Sequence, residues 1–238
     1  MPTNETMERF IARVEQGAHA EAIEEFYLEN GAIRENQAPP RRGRANLVAR
    51  ERQVLARART VQTTCIRPVF VSGSNAVVRW IFRFEWLDGS VTQMEELAYQ
   101  RWQGERIVEE QFFYDPAQRT PSEAGPARSE PAAAPVQRQL DAYNAHDLER
   151  FVAEYSDEIQ VFRPPAVEPV LSGKTAFAEH YSKNRFTLPR LHAEVVSRMV
   201  AGAIVVDHER ITGLQEGVVE AVAVYRVAEG RICTVWFY

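Results

Sequence analysis

The sequence predicts an α+β protein built as two tandem cone-shaped barrel domains, each with N-terminal helices packed in a strongly curved, mainly antiparallel sheet. Three observations predict it. Two long segments carry the same order of helical and strand patterns. In each, the helices come first and four strand-like runs follow, which is the order of an α+β layer structure. Between them, residues 116–135 read PAQRTPSEAGPARSEPAAAP, too poor in large apolar side chains to offset the entropy of ordering.

Domains are therefore expected over residues 1–115 and 136–238, joined by a flexible linker over residues 116–135. The first opens with apolar residues at helical spacing, Met7, Phe10, Ile11 and Val14, then Ala22, Ile23 and Phe26. A strand over 32–36, a Pro-containing loop, Gly43 and a second amphipathic helix over 45–58 come next. Four β-branched and aromatic runs then occupy 61–71, 75–86, 91–102 and 106–114. The second segment repeats this order. Its helical stripe is Val136, Leu140 and Tyr143, then Leu148, Phe151, Val152 and Tyr155. A strand over 159–163, Gly173 and a helix over 175–183 precede strand runs at 191–200, 203–212, 218–227 and 231–238. Hairpin chemistry separates the runs: Asp88-Gly89, Gln103-Gly104, Ala201-Gly202 and Glu229-Gly230.

The 238 residues are 45% hydrophobic and 26% charged, with a formal net charge of -5. That balance disfavours a broad phosphate-binding face, so no nucleic-acid partner is expected. No run approaches the ~20 apolar residues of a membrane span, and the N-terminus lacks a signal pattern. No membrane partner is expected, and a cytoplasmic location is. Cys65 and Cys233 each lie in an apolar run, which fits two buried thiols better than a disulfide framework.

The order of elements resembles the nuclear transport factor two-like superfamily, which includes ketosteroid isomerase, SnoaL-like polyketide cyclases and limonene epoxide hydrolase. The residues that carry the resemblance are Phe26 to Ile33, Pro40-Arg41-Arg42-Gly43 and Arg106-Ile107-Val108 in the first half. In the second they are Tyr143-Asn144-Ala145-His146-Asp147-Leu148, Ser172-Gly173-Lys174-Thr175-Ala176-Phe177 and Gly230-Arg231-Ile232. The resemblance implies a pocket between helices and sheet in each half, and acid–base chemistry in some members. The isomerase's base position falls on Glu35 in the first half and Arg163 in the second. Its tyrosine falls near Ile11 and Gln139, and its protonated aspartate on Ala98 and Ala223. Neither half keeps that triad, so ketosteroid isomerisation is not expected. The hydrolase's second aspartate is replaced by Thr212.

Strand alternation puts Trp80, Phe82, Phe84 and Trp86 on one face. On the matching register Glu96, Gln100 and Trp102 follow on the next strand, then Glu110, Phe112 and Tyr114 on the last. Glu35, Glu96 and Glu110 are the expected catalytic carboxylates, crowded into apolar surroundings that raise carboxyl pKa values. A register one residue away would instead turn Glu95 and Glu109 inward. Asn36, Trp80, Phe82, Gln100, Trp102, Phe112 and Tyr114 are the expected substrate contacts of the first domain. Arg163, His192, Asp207 and Glu209 are those of the second. His192, Asp207 and His208 do not read as a metal site, because neighbours on a strand point opposite ways. No cofactor motif is present.

The expected partner is a small apolar organic molecule. The function expected is a small-molecule acid–base enzyme of SnoaL-like type acting on a carbonyl-bearing compound. The alternative is a non-catalytic binding or scaffolding protein. Superfamily members often pair through the sheet's outer face, which implies an intramolecular pseudo-dimer through Val77, Ile81, Leu97 and Tyr99, with a possible further homodimer.

Overall fold

A computed structural model describes residues 1–119 and 131–238. The chain divides into two compact units, residues 1–123 and 124–238. Among the described residues each is a six-stranded mixed sheet with three α-helices.

In the N-terminal unit, α1 (Asn4–Glu15) and α2 (His19–Phe26) lead into β1 (Tyr27–Glu35), a two-residue β2 (Arg41–Arg42) and α3 (Arg44–Leu55). The sheet is completed by β3 (Ala58–Ser72), β4 (Asn75–Trp86), β5 (Val91–Gln103) and β6 (Arg106–Phe113), in the order β2-β1-β6-β5-β4-β3. Only β1 and β6 run parallel. The sheet is open, with β2 and β3 at its edges. Thr3 caps α1, its hydroxyl accepting from the Thr6 amide at 3.1 Å. The helix then buries Met7, Phe10, Ile11 and Val14, the stripe its sequence spacing predicts.

The C-terminal unit repeats the plan with α4 (Ala133–Asn144), α5 (Leu148–Ala153), β7 (Tyr155–Phe162), β8 (Leu171–Ser172) and α6 (Lys174–Asn184). β9 (His192–Ala201), β10 (Ile204–Thr212), β11 (Val218–Ala228) and β12 (Arg231–Phe237) follow, in the order β8-β7-β12-β11-β10-β9. Equivalences are direct. Tyr27 pairs with Ile107, and Tyr155 with Ile232. Gly43 and Gly173, at φ 90° and 83°, precede α3 and α6. Their amides donate to Gly31 and Ile159, which pins each helix start to the first strand.

The Tyr143-to-Leu148 motif has a structural task. The Asn144 side chain donates to the Ala193 carbonyl and accepts from the Ala193 amide, both at 2.8 Å. Asp147 caps α5 by accepting from the Arg150 amide at 3.0 Å. The motif ties the α4–α5 turn to the start of β9.

Several expected boundaries move. The first strand of each unit begins earlier, at Tyr27 and Tyr155, and α3 ends at Leu55 because the β-branched run around Thr60 and Val61 joins β3. The expected linker is structured at both ends. Pro116–Arg119 form a 3-10 turn, held where the Gln118 side chain accepts from the Glu95 amide at 2.6 Å. At the other end Ala133 to Pro135 belong to α4, whose first turn tolerates a proline. Residues 120–130 of that linker lie outside the described residues. Cys65 is buried and Cys233 half-buried, and both are free thiols. Among the described residues no helix is long and apolar enough to cross a membrane.

Candidate functional site

A cavity of about 980 Å³ lies between the helices and sheet of the N-terminal unit. Alternation along β4 builds its wall, with Trp80, Phe82, Phe84 and Trp86 all facing the space. Successive ring centroids stand 5.9, 6.3 and 4.9 Å apart, and Phe84 and Trp86 lie within 4° of parallel. Opposite them, α1 and α2 contribute Phe10, Val14, Ala22 and Ile23.

Its chemistry centres on Glu110. This residue is 2% exposed and lines the cavity. Burial pushes its carboxyl up to about 7, against the pull of hydrogen bonds from Gln100 and Tyr27 and with a further push from the Glu51 charge. The Gln100 amide donates to Oε1 at 2.6 Å, and the Tyr27 hydroxyl donates a very short hydrogen bond to Oε2. The Trp102 indole N–H, which can only donate, meets Gln100 Oε1 at 3.1 Å. That contact fixes which end of the amide faces Glu110. Tyr27 is itself pushed well above its ordinary value, by burial first and then by the Glu110 charge, so it remains a proton donor.

Of the three carboxylates singled out from sequence, Glu35, Glu96 and Glu110 all line this cavity. The register sets Gln100 of β5 opposite Glu110 of β6, and Trp80 of β4 opposite Glu96 of β5. Glu35 sits at the mouth, 28% exposed, with Arg41 on Oε1 at 2.5 Å and the Tyr114 hydroxyl on Oε2 at 2.9 Å. Glu35 is ion-paired with an arginine at an open mouth, whereas Glu110 is desolvated and has only neutral hydrogen-bond partners, which favours Glu110 as the proton-transferring group.

Trp80, Phe82 and Phe112 also line the space. Four expected contacts do not, and support it instead. Gln100 is fully buried against Glu110, and Trp102 packs edge-on against Phe10 at 6.0 Å. Tyr114 buttresses Glu35. Asn36 takes φ 45° in the turn after β1, where its side chain accepts from the Tyr114 amide. A side chain committed to that turn is not aimed at a guest.

Sequence reading missed Tyr27, His19 and Glu51. Tyr27 opens β1 rather than lying on α1, where the isomerase resemblance places a tyrosine. His19, 7% exposed, bridges Glu51 through Nδ1 at 3.3 Å and the Thr63 hydroxyl through Nε2 at 2.9 Å. Its ring stands edge-on to Phe82 at 5.8 Å. The usable signal was helical phase. Leu47, Glu51 and Val54 follow i, i+4, i+7 on α3, the stripe that faces the cavity.

The corresponding hollow of the C-terminal unit measures about 160 Å³. Position by position, Phe177 stands four residues after Gly173 where Leu47 follows Gly43, and Tyr181 stands where Glu51 does. Rings of Phe151, Tyr155, Phe177 and Tyr181 pack at 4.3 to 5.6 Å and fill the space. Arg163 and Glu209 line the remaining hollow. Glu209 is pushed up to about 7 by burial and by Asp207, while the Tyr225 hydroxyl donates to it at 2.9 Å.

Asp207 and His192, expected to contact substrate, do not line this hollow. Asp207 is fully buried outside this hollow, in a two-pronged ion pair with Arg198 at 2.6 and 2.7 Å. Burial still leaves its carboxyl raised. Its cross-strand partner on β9 is an arginine, and Arg198 also donates to Gln137 on α4. His192 is exposed at the first residue of β9. His208 pairs with Glu220 at 2.9 Å. Among the described residues no three His, Cys, Asp or Glu side chains are grouped to hold a metal ion.

Known proteins match this chain over about one unit's length. The model of the SnoaL-like domain matches residues 136–235. No curated protein matches the chain. Among solved structures, a cystatin-fold protein from Novosphingobium aromaticivorans is 21% identical, with TM-score 0.42, over 46% of this chain and 99% of its own. A SnoaL-like protein of unknown function from Burkholderia thailandensis is 21% identical, with TM-score 0.39, over 45% of this chain and 92% of its own. A ketosteroid isomerase-like fold from Catenulispora acidiphila, solved with trimethylamine, is 15% identical, with TM-score 0.44, over 52% of this chain and 99% of its own. Residues 136–235 of the C-terminal unit match the SnoaL-like domain, and the chain is a tandem α+β protein whose N-terminal unit repeats the same sheet order around a larger cavity.

Proposed function

We propose that the N-terminal cavity carries out acid–base chemistry on a small, flat, carbonyl-bearing compound, with Glu110 as the group that takes and returns the proton. The observation that carries this reading is a buried carboxyl facing an aromatic hollow with its pKa at about 7. At neutral pH such a group is present in both forms, which a general acid–base catalyst needs. Glu110 in its ionised form removes a proton from the carbon beside the carbonyl. Negative charge then develops on the carbonyl oxygen, and as Glu110 takes up the proton the Tyr27 hydroxyl, kept protonated by burial, turns from the carboxyl to donate to that oxygen. Gln100, oriented by Trp102, holds the carboxylate still. Returning the proton to another carbon gives an isomer, and ring closure from the same enolate gives a cyclised product.

The test works with model ketones in place of the natural substrate. Aryl ketones are incubated with the protein in D2O, and exchange of the proton beside the carbonyl is followed by NMR. Exchange is expected with the native chain and is expected to fall by about 100-fold or more in Glu110→Gln. Ketone binding without any exchange, or equal exchange in the variant, overturns the reading and leaves the alternative of a non-catalytic binding module.

A further inference from the structure

We infer that the guest of the N-terminal cavity carries an anionic group, a carboxylate on a flat aromatic body, which Arg50 and Arg57 hold at the mouth. The inference rests on the cavity being the ligand site and specifies the ligand's class.

Three arginines line the cavity: Arg41, Arg50 and Arg57. Arg41 is neutralised by Glu35. Arg50 and Arg57 are exposed and form no ion pair with a carboxylate among the described residues. They sit seven residues apart, two helical turns, in phase with Leu47, Glu51 and Val54. Both guanidinium groups therefore issue from the cavity-facing stripe of α3 and the residues just after it.

The acids that share the rim are already engaged. Glu35 has Arg41 and Tyr114, and Glu51 has His19. Asp88 accepts from the Ser90 amide and hydroxyl at 2.9 and 2.6 Å, which holds its carboxyl below its ordinary range, with the Arg57 charge adding to that pull.

Arg57 is held in place by an aromatic face. Its guanidinium carbon stands 5.9 Å from the Trp86 ring, and Trp86 stacks on Phe84. A planar ligand lying along that wall would end beside a planar cation fitted for two-pronged recognition of carboxylate. Its other end would reach the Tyr27–Glu110 pair. Deep inside, Glu96 and Glu110 repel an anion, so the charged end is confined to the mouth and the carbonyl is oriented inward.

The test compares three probes of nearly equal shape by quenching of tryptophan fluorescence in the full chain: acetylnaphthalene, its carboxylate derivative and its aminomethyl derivative. The carboxylate is expected to bind about five-fold more tightly than the neutral ketone. Arg50→Gln and Arg57→Gln together are expected to remove that advantage and leave the neutral ketone's affinity unchanged, with unaltered circular dichroism as the check on folding. Tightest binding of the aminomethyl probe, or a carboxylate advantage that survives in the double variant, overturns the inference. If the neutral ketone binds and exchanges with no carboxylate preference, this inference fails and the acid–base reading stands. If the carboxylate is preferred and no exchange occurs, the acid–base reading fails alone. If none of the probes binds, both fail.

Discussion

Replacing Glu110 with glutamine should make the N-terminal unit less sensitive to alkali, and the size of the effect follows from burial. The carboxyl's ordinary value is 4.5 and the folded value about 7. A pKa raised by folding means that the native state holds the proton more tightly than the unfolded chain. Its contribution to stability is therefore full below the unfolded value and is lost as pH rises through the folded one. Between pH 5 and pH 8, both chosen for the assay, linkage between these two values gives a loss of about 2.5 kcal/mol from this group. Glutamine keeps the shape and the hydrogen bonds, since its amide oxygen can accept from Gln100 and its amide nitrogen can donate to the Tyr27 hydroxyl oxygen. The assay is urea unfolding followed by tryptophan fluorescence in a Trp236→Phe background, where the remaining tryptophans, Trp80, Trp86 and Trp102, all report on the N-terminal unit. The difference in stability between the two pH values should shrink by about 2.5 kcal/mol in Glu110→Gln. An equal difference in both proteins would show that Glu110 ionises in the native state as freely as in the unfolded one.

Other consequences follow from the same contacts. Glu51→Gln removes a charge that raises Glu110, so the ionisation of Glu110, read from the pH profile of ketone exchange, should move to lower pH; no movement or a rise refutes the coupling. Trp102→Phe releases the Gln100 amide from its fixed orientation, weakens its donation to Glu110, and should move that profile to higher pH. Leu47→Phe with Glu51→Tyr copies the side chains of the second unit into the first; it should abolish quenching by the naphthyl probes while circular dichroism is preserved. Arg198→Met strands the fully buried Asp207 and should destabilise the C-terminal unit by about 3 kcal/mol at pH 7, as measured by urea unfolding; the loss should narrow in acid, where Asp207 takes up a proton.

The linear sequence determined the repeat, the element order and the aromatic face of β4, because each is written in spacings of two to four residues that backbone geometry alone imposes. It left Glu96 and Glu110 in competition with Glu95 and Glu109 for the face shared with Trp80, and the strand register of the folded sheet decided between them. Only the tertiary structure decided which acid matters. The Tyr27 hydroxyl meets Glu110 across a separation of 83 residues and His19 meets Glu51 across 32, and no local period encodes such meetings. Nor could spacing weigh Glu35 against Glu110, because the difference lies in what surrounds each carboxyl: Arg41 and a phenol at an open mouth for one, and desolvation for the other. The contrast between a hollow of about 980 Å³ and one of about 160 Å³ was likewise beyond reach. It depends on a few rings, Phe177 and Tyr181 among them, whose bulk becomes visible only when two helices of the same pattern are laid over two sheets of the same topology.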